Sequence, residues 1–424
     1  MIYPQPRAVH LDDEIYRILA RLGIGEEFAA ISRPSRGLRL VDRTLRVLAE
    51  FPRDADGRHG YPEANMFDQP QLEALLRANV KRHQIVTFRG NTEVTALTQD
   101  ADGVRVEYTD RVTGQHHWVL AKYVLGCDGA NSLIRGVIGA TMQDLRFEQR
   151  WLIADVATEA DLGQWEGVHQ VCDPDRAATY MRVSKTRYRW EFQLPPGETA
   201  HDYREMTQLH PLIAPWTKAI PVDELHLLRL AEYTFRAQIA DRWRDRRVFL
   251  LGDAAHLTPP FIGQGMGAGI RDAMNLAWKL AGLLGGTLPE IVLDTYQVER
   301  HPHVRALIRR AKLLGIVMTA SGQAGSLPRG VVPPWLHHLP VLKMHILDSR
   351  SPALHRWLRR GRATAAIVRP DGTVLLAGHH LSVLRAALPA FTPDLRPTAY
   401  SASGRDATAT RCATSGSDDI PKLL

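Results

Sequence analysis

The chain has 424 residues, 45% hydrophobic and 23% charged, with a formal net charge of +7 and a pI near 9.4. That length accommodates two or three domains of ordinary globular composition. No apolar run nears the roughly 18 residues needed to cross a bilayer, and the opening segment lacks the apolar stretch of a secretory signal. The basic residues are spread along the chain, with no Lys-rich block interleaved with aromatics. This argues against a nucleic-acid partner and suits anionic cofactors and acidic substrates.

Cys127, Cys172 and Cys412 are far apart and show no metal or redox spacing, which points to a reducing cytoplasm. The adjacent histidine pairs 116–117, 337–338 and 379–380 would point to opposite faces of a strand, so no metal site is expected. No nucleophile elbow is present either.

In chain order, a first helix is expected with Asp12 or Asp13 as cap, Ile15, Ile18, Leu19 and Leu22 on its buried face and Gly23 at its end. Residues 37–51 alternate as strands. A second helix follows Asp68, with Pro70 in its first turn and Leu72, Leu75, Leu76 and Val80 as its stripe. Residues 85–88 read as a strand, and 104–108 with 118–124 as a hairpin across Thr113 and Gly114. From Phe147 to about Tyr233 the pattern is strand-rich and largely antiparallel. A compact strand at 247–251 leads through a Pro/Gly loop to a helix ending near Leu284, and another helix spans about 290–314. Residues 321–334 read as a linker, and from about Ala399 the Ser/Thr/Ala/Gly-rich tail is expected to be disordered.

Two strips carry the chemistry. In the first, a buried strand ends at Gly252-Asp253, where a short carboxylate can meet a ligand hydroxyl at the carboxyl end of a sheet. Pro259, Gly263, Gly265, Met266, Gly267 and Gly269 then lead into a helix. These glycines are expected to let backbone approach a flat ligand, with the helix N-terminus offering partial positive charge. The G-x-G-x-x-A spacing from Gly263 follows prolines and not a strand, so it reads as a chance match to the dinucleotide fingerprint. The second strip, 123–135, again ends a strand in Asp-Gly, at Asp128-Gly129, and continues to Arg135.

Together these strips resemble the Asp-Gly and Gly-Asp motifs of the single-component FAD-dependent aromatic hydroxylases, a family of flavoprotein monooxygenases. The likeness is greatest to enzymes of the 3-(3-hydroxyphenyl)propionate hydroxylase type and to polyketide-ring hydroxylases. Further similar segments are 3–9 with 12–14, 67–72, 171–176 and 189–198, and the likeness runs from about Tyr3 to about Arg310. The resemblance implies an α/β fold: a FAD-binding Rossmann-like domain, an inserted mostly antiparallel substrate sheet and part of a thioredoxin-like C-terminal domain. The corresponding boundaries are 1–35, 66–145 and 240–320 for FAD binding, 36–65 and 146–239 for the substrate domain, 340–398 for the thioredoxin-like piece and 399–424 for the tail.

By the same resemblance, Asp253 would bond the ribityl chain, and Pro259 with the loop Gly263, Gly265, Met266 and Gly267 would lie against the flavin. Asn275 would support the pyrimidine edge. Arg7 and Gln69 would contact the ribityl-diphosphate part, and Asp128 and Arg135 would lie near the phosphates. The ordinary alternatives are a surface arginine for Arg7 and a helix-capping amide for Gln69. The implied reaction uses FAD, NAD(P)H and O2 to hydroxylate a phenol through a flavin C4a-hydroperoxide. No phenol-deprotonating base is identified: His256 and Tyr180 are candidates whose ordinary role is packing. Trp190 and Phe192 are candidates for the substrate pocket or for core.

The family's opening strand, glycine turn and helix have no counterpart before Tyr3, so the fold is expected to be incomplete and this chain to bind FAD weakly or not at all. The earlier part of the thioredoxin-like domain also has no counterpart. The competing readings are a non-catalytic remnant or mis-started gene, and another FAD-dependent oxidoreductase of the same fold.

Overall fold

The computed structural model describes residues 2–4, 6–218, 220–319, 363, 365–371 and 373–386. The expected linker at 321–334 and tail at 399–424 lie outside these residues, as does most of 340–398. The chain folds as two units, one of Met1–Ala273 with Gln297–Met344, the other of Met274–Tyr296 with His345–Leu424.

In the first unit, helix Asp13–Arg21 starts where expected: the Asp12 carboxylate accepts from the Ile15 N–H at 3.0 Å, filling one of the orphan donors of the first turn. Ile15, Ile18 and Leu19 are buried, but Leu22 lies past the last helical turn and is exposed. Helix Gln69–Lys81 follows Asp68 with Pro in its first turn. Of its expected stripe only Leu72 is fully buried. Residues 85–88, expected as a strand, form none. No described strand pairs with them, and the Val86 N–H donates instead to the His83 carbonyl at 3.0 Å in a turn.

The antiparallel meander Thr92–Gln99, Val104–Asp110 and His116–Ala121 contains the expected hairpin. The strand expected to continue to 124 breaks after Ala121. Val124–Gly126 instead pairs in parallel with Val248–Leu250, which also pairs with Arg244–Asp245.

The strand-rich middle forms an eight-stranded sheet in the order His256–Leu257, His226–Ala240, Met142–Ala157, Arg187–Gln193, Ala178–Arg182, Val168–Val171, Gly37–Val41, Val47–Pro52. All its ladders are antiparallel except that between Val168–Val171 and Gly37–Val41. Side chains alternate across a strand. Tyr188, Trp190 and Phe192 therefore share one face with Tyr180, Leu152 and Ala154, and pack on Leu209, Ile213 and Trp216 of helix Met206–Thr217. That helix, carrying Pro211 and Pro215, lies within the stretch read as strands. It starts at a capping box between Glu205 and Gln208. The opposite face of the same strands carries Arg189, Glu191, Asp155, Thr179 and Gln170.

Helix Gly265–Leu284 begins in the first unit, and Thr295–Thr319 is the long helix expected near its observed position. Among the described residues of the second unit, strands Ala365–Val368 and Val374–Gly378 pair as a hairpin, followed by helix Leu381–Ala386. No helix among the described residues is long and apolar enough to cross a membrane.

Candidate active site

The strand Val248–Leu250 delivers its carboxyl end to Gly252-Asp253, at the edge of a cleft of about 580 Å³. Gly252 has φ +59°, a conformation in which a Cβ would be strained. Its N–H donates to the Asp272 carboxylate at 3.1 Å. Asp272 also accepts from Arg300 Nε at 2.8 Å and contacts His256 Nε2 at 2.8 Å. Burial alone would raise the Asp272 carboxyl, but His256 and Arg300 hold it below the usual range. His256 is thus a packed partner of a buried carboxylate and lines neither cavity.

Asp253 is exposed on the cleft wall, and its side chain accepts no hydrogen bond from any described residue. Pro260, Gly265, Met266 and Gly269 line the cleft beside it, putting the first turn of helix Gly265–Leu284 and its partial positive charge on the wall. The four glycines do different things. A Cβ on Gly269 would stand 3.2 Å from the Gly252 Cα, so this glycine serves helix–strand packing. One on Gly267 would meet Arg271 at 2.9 Å, and one on Gly263, at φ +61°, would meet the His10 ring at 2.8 Å. Gly265 alone of the four has open space where its Cβ would be. Gly265 and Gly269 line the cleft and Gly263 lines the chamber beside it. Pro259 and Gly267 do not line the cleft; Pro260 does.

Gln69 and Arg7 meet on the other wall. The Gln69 amide oxygen accepts the N–H groups of Arg7 at 2.7 Å and Ala8 at 2.8 Å, which ties the opening segment to the second helix. The Arg7 guanidinium is exposed over the Tyr3 ring, 5.3 Å from its centroid. Asp128 accepts from Ser132 Oγ at 2.6 Å and from the Ile134 N–H at 3.0 Å, so it caps the start of helix Leu133–Val137. Arg135 donates to the carbonyls of Ala254 and Ala130 at 3.0 and 2.8 Å. Both brace the strip, and its neighbours Cys127 and Gly129 line the cleft instead. Asn275 lies in the second unit, where its amide oxygen accepts from Lys279 Nζ at 2.8 Å and its nitrogen donates to Asp371 at 3.4 Å.

A second chamber of about 220 Å³ adjoins the cleft, and Arg7, Arg189, Glu191, Thr258, Pro260 and Met266 belong to both walls. Val9, Leu38, Met66, Met181, Phe261 and Ile262 line it together with His10, Ser35, Arg53, Gln170 and Thr179. Trp190, Phe192 and Tyr180 line neither cavity, because alternation turns them into the core. The residues that sequence reading did not single out as functional are those on the other face. Arg189 donates to both oxygens of Asp155 at 2.7 and 3.0 Å and to the carbonyls of Arg7 and Pro6 at 2.8 and 2.7 Å. Arg229 donates to the Pro6 carbonyl and to the Tyr233 hydroxyl. The signal was available in the pattern Arg-Trp-Glu-Phe: charges alternating with aromatics in a strand must lie on a face that pairs or uses them.

The cleft combines an acceptor without a partner, a glycine open to close approach and the positive end of a helix. These features fit a flavin ring and its hydroxylated side chain. The family model described as "FAD binding domain" matches residues 2–311, and the chain belongs to this FAD-binding family. It is 38% identical over 319 residues to a probable NADH-specific resorcinol 4-hydroxylase of Rhodococcus jostii (strain RHA1), covering 75% of this chain and 59% of that protein. It is 33% identical over 361 residues to a 3-(3-hydroxy-phenyl)propionate/3-hydroxycinnamic acid hydroxylase of Mycobacterium avium (strain 104), covering 83% and 61%. The chain therefore spans about three fifths of the length of these relatives. The crystal structure of p-nitrophenol 4-monooxygenase PnpA from Pseudomonas putida DLL-E4 superposes with a TM-score of 0.69 at 24% identity, over 76% of this chain and 82% of that one. At that identity the likeness shows the fold.

Proposed function

We propose that this chain forms the flavin and substrate sites of a FAD- and NAD(P)H-dependent monooxygenase that uses O2 to hydroxylate a single phenolic ring. The observation that carries the reading is the chamber of about 220 Å³ sharing its wall with the flavin-sized cleft. A cavity of roughly 150 Å³ holds benzene, so this chamber suits one substituted ring better than a fused polycycle. The names of the two curated relatives agree, since both describe hydroxylases of single-ring phenols.

When bound and reduced by NAD(P)H, FAD supplies the oxygen-activating chemistry. The chain's own residues do the rest. Asp253 accepts a hydroxyl of the cofactor side chain. The first turn of helix Gly265–Leu284 favours negative charge on the adjacent ring edge. The aromatic and aliphatic residues of the chamber wall help to exclude water from the reacting ring. On this reading the sheet strands at 37–52 and 142–240 are the substrate part and the segments around them the cofactor part. A cytoplasmic setting is supported by the free thiols of Cys127 and Cys172.

The test is to incubate the full chain with excess FAD, desalt it, record the visible flavin band, and then follow NAD(P)H oxidation with resorcinol or 3-(3-hydroxyphenyl)propionate. Against the weak binding expected from the sequence, this reading expects a retained band with phenol-dependent oxidation and a hydroxylated product. Flavin retention with oxidation indifferent to every phenol would overturn the substrate class. Loss of flavin on desalting would overturn the assignment of the cleft in this chain.

A further inference from the structure

Glu191 stands on strand Arg187–Gln193, between Trp190 and Phe192, and points away from the core those aromatics fill. It lines both the chamber and the cleft, and the residue is only 9% exposed. Its side chain nevertheless accepts no hydrogen bond from any described residue. Arg189 is engaged with Asp155 and two carbonyls, and Arg229 with Pro6 and Tyr233 through its terminal nitrogens, while the buried Arg229 Nε makes no hydrogen bond to a described residue. On the chamber wall, Gln170 and Thr179 bond each other at 3.3 Å, and His10 Nδ1 contacts the Gly263 carbonyl at 3.3 Å. A carboxylate on a cavity wall with no donor from the chain is open to a partner that enters the cavity. Glu191 reaches the chamber, so a molecule bound there can supply the donor it lacks, and the reading of that chamber as a phenol site, on which this step rests, supplies one.

We propose that Glu191 receives the ring hydroxyl of the phenolic substrate and is its proton acceptor. The phenol O–H donates to the carboxylate. As the ring is activated, the proton passes from the phenol oxygen to a carboxylate oxygen, and the O–H bonding pair stays on the phenolate oxygen. The pair holds one negative charge and one proton throughout.

Charged groups face Glu191 from every side. Arg189 shares its strand, Asp155 lies on the neighbouring strand and Arg229 on the strand beyond it, and Arg7, His10 and Arg53 also line the chamber. Burial, with the Asp155 charge, pushes the Glu191 carboxyl up to about 6 against the pull of Arg189 and Arg229. It is then ionised at neutral pH and a stronger base than an ordinary carboxylate.

The probe is 4-nitrophenol, coloured as the phenolate and nearly colourless as the phenol, titrated with pH in the presence of the full chain and of its E191Q and E191D variants. An ionised Glu191 that accepts the phenol proton disfavours a second negative charge beside it. Bound probe in the wild type should therefore ionise about one pH unit or more above free probe, a tenfold change in the ratio of its forms. E191Q should bring the midpoint back toward the free value, and E191D should keep part of the shift. An unshifted midpoint in the wild type overturns the proposal whether or not the variants fold, as does an E191Q midpoint equal to a raised wild-type one. A probe that binds the wild type without a shift leaves the phenol chamber standing and removes Glu191 from it. A probe that does not bind at all overturns both.

Discussion

The eight-stranded sheet and the three-stranded meander at 92–121 use the same kind of residue to opposite effect. In the large sheet Trp151 and Trp190 are fully buried, whereas in the meander Trp118 is 59% exposed, with Leu120 and Val119 exposed beside it. Ion pairs divide in the same way: Arg189–Asp155 is sealed in the sheet, while Arg105–Glu107 on the meander lies in solvent. Strand propensity is alike in both regions. What differs is whether a second layer covers the face, and hydrophobic stabilisation follows covered area, not residue type.

The largest effect that would sharpen this contrast is truncation of paired tryptophans. Trp190→Ala should cost about 3–5 kcal/mol through lost contact and a residual cavity. Trp118→Ala should change stability by no more than about 0.5 kcal/mol. Urea titration of both variants gives the comparison directly, and equal losses would break it.

Next come the charges. Asp155→Ala leaves two buried guanidiniums without their carboxylate and should cost about 3 kcal/mol or more. Glu107→Ala should cost about 0–1 kcal/mol. The same titration in high salt should change only the second value.

The smallest effect is on acid sensitivity. His169 is held neutral in the large sheet, its pKa lowered to about 4 by burial and by the Arg39 guanidinium. Its Nδ1 accepts from Trp216 Nε1 at 3.2 Å, which requires that nitrogen to be unprotonated. A lowered histidine pKa means that the unfolded chain binds the extra proton first. The stability His169 contributes is present above about pH 6.5 and lost as pH falls through about 4. His303, lowered to about 3, acts in the same direction, while Glu191, raised to about 6, acts in the opposite one. His169→Gln should make the fall in stability between these pH values shallower by up to about 1.4 kcal/mol per pH unit. An unchanged slope would remove His169 from the acid response.

Much of the cofactor side was legible in the sequence because its signals are local. A strand ending in Gly-Asp, a Pro/Gly loop and a helix start occupy one continuous stretch, and Asp12 capping the first helix needs only its own neighbours. The roles within that stretch were less legible. Gly263, Gly267 and Gly269 look alike in sequence, yet their Cβ positions are closed by His10, Arg271 and Gly252, and only Gly265 faces open space. Asp128 and Arg135 match a motif but spend their hydrogen bonds on Ser132, Ile134, Ala130 and Ala254.

By itself, the sequence determined much of the strand and helix alternation and the antiparallel middle sheet, because period, caps and turns are set over a few neighbouring residues; the flavoprotein character came from the resemblance of its motifs to a family. Only the tertiary structure decided which face of strand Arg187–Gln193 is core. That choice depends on helix Met206–Thr217 covering Trp190 and Phe192 from one side, which turns Arg189 and Glu191 to the cavities on the other. A two-residue repeat specifies that faces differ; the layer that packs against one of them specifies which is buried.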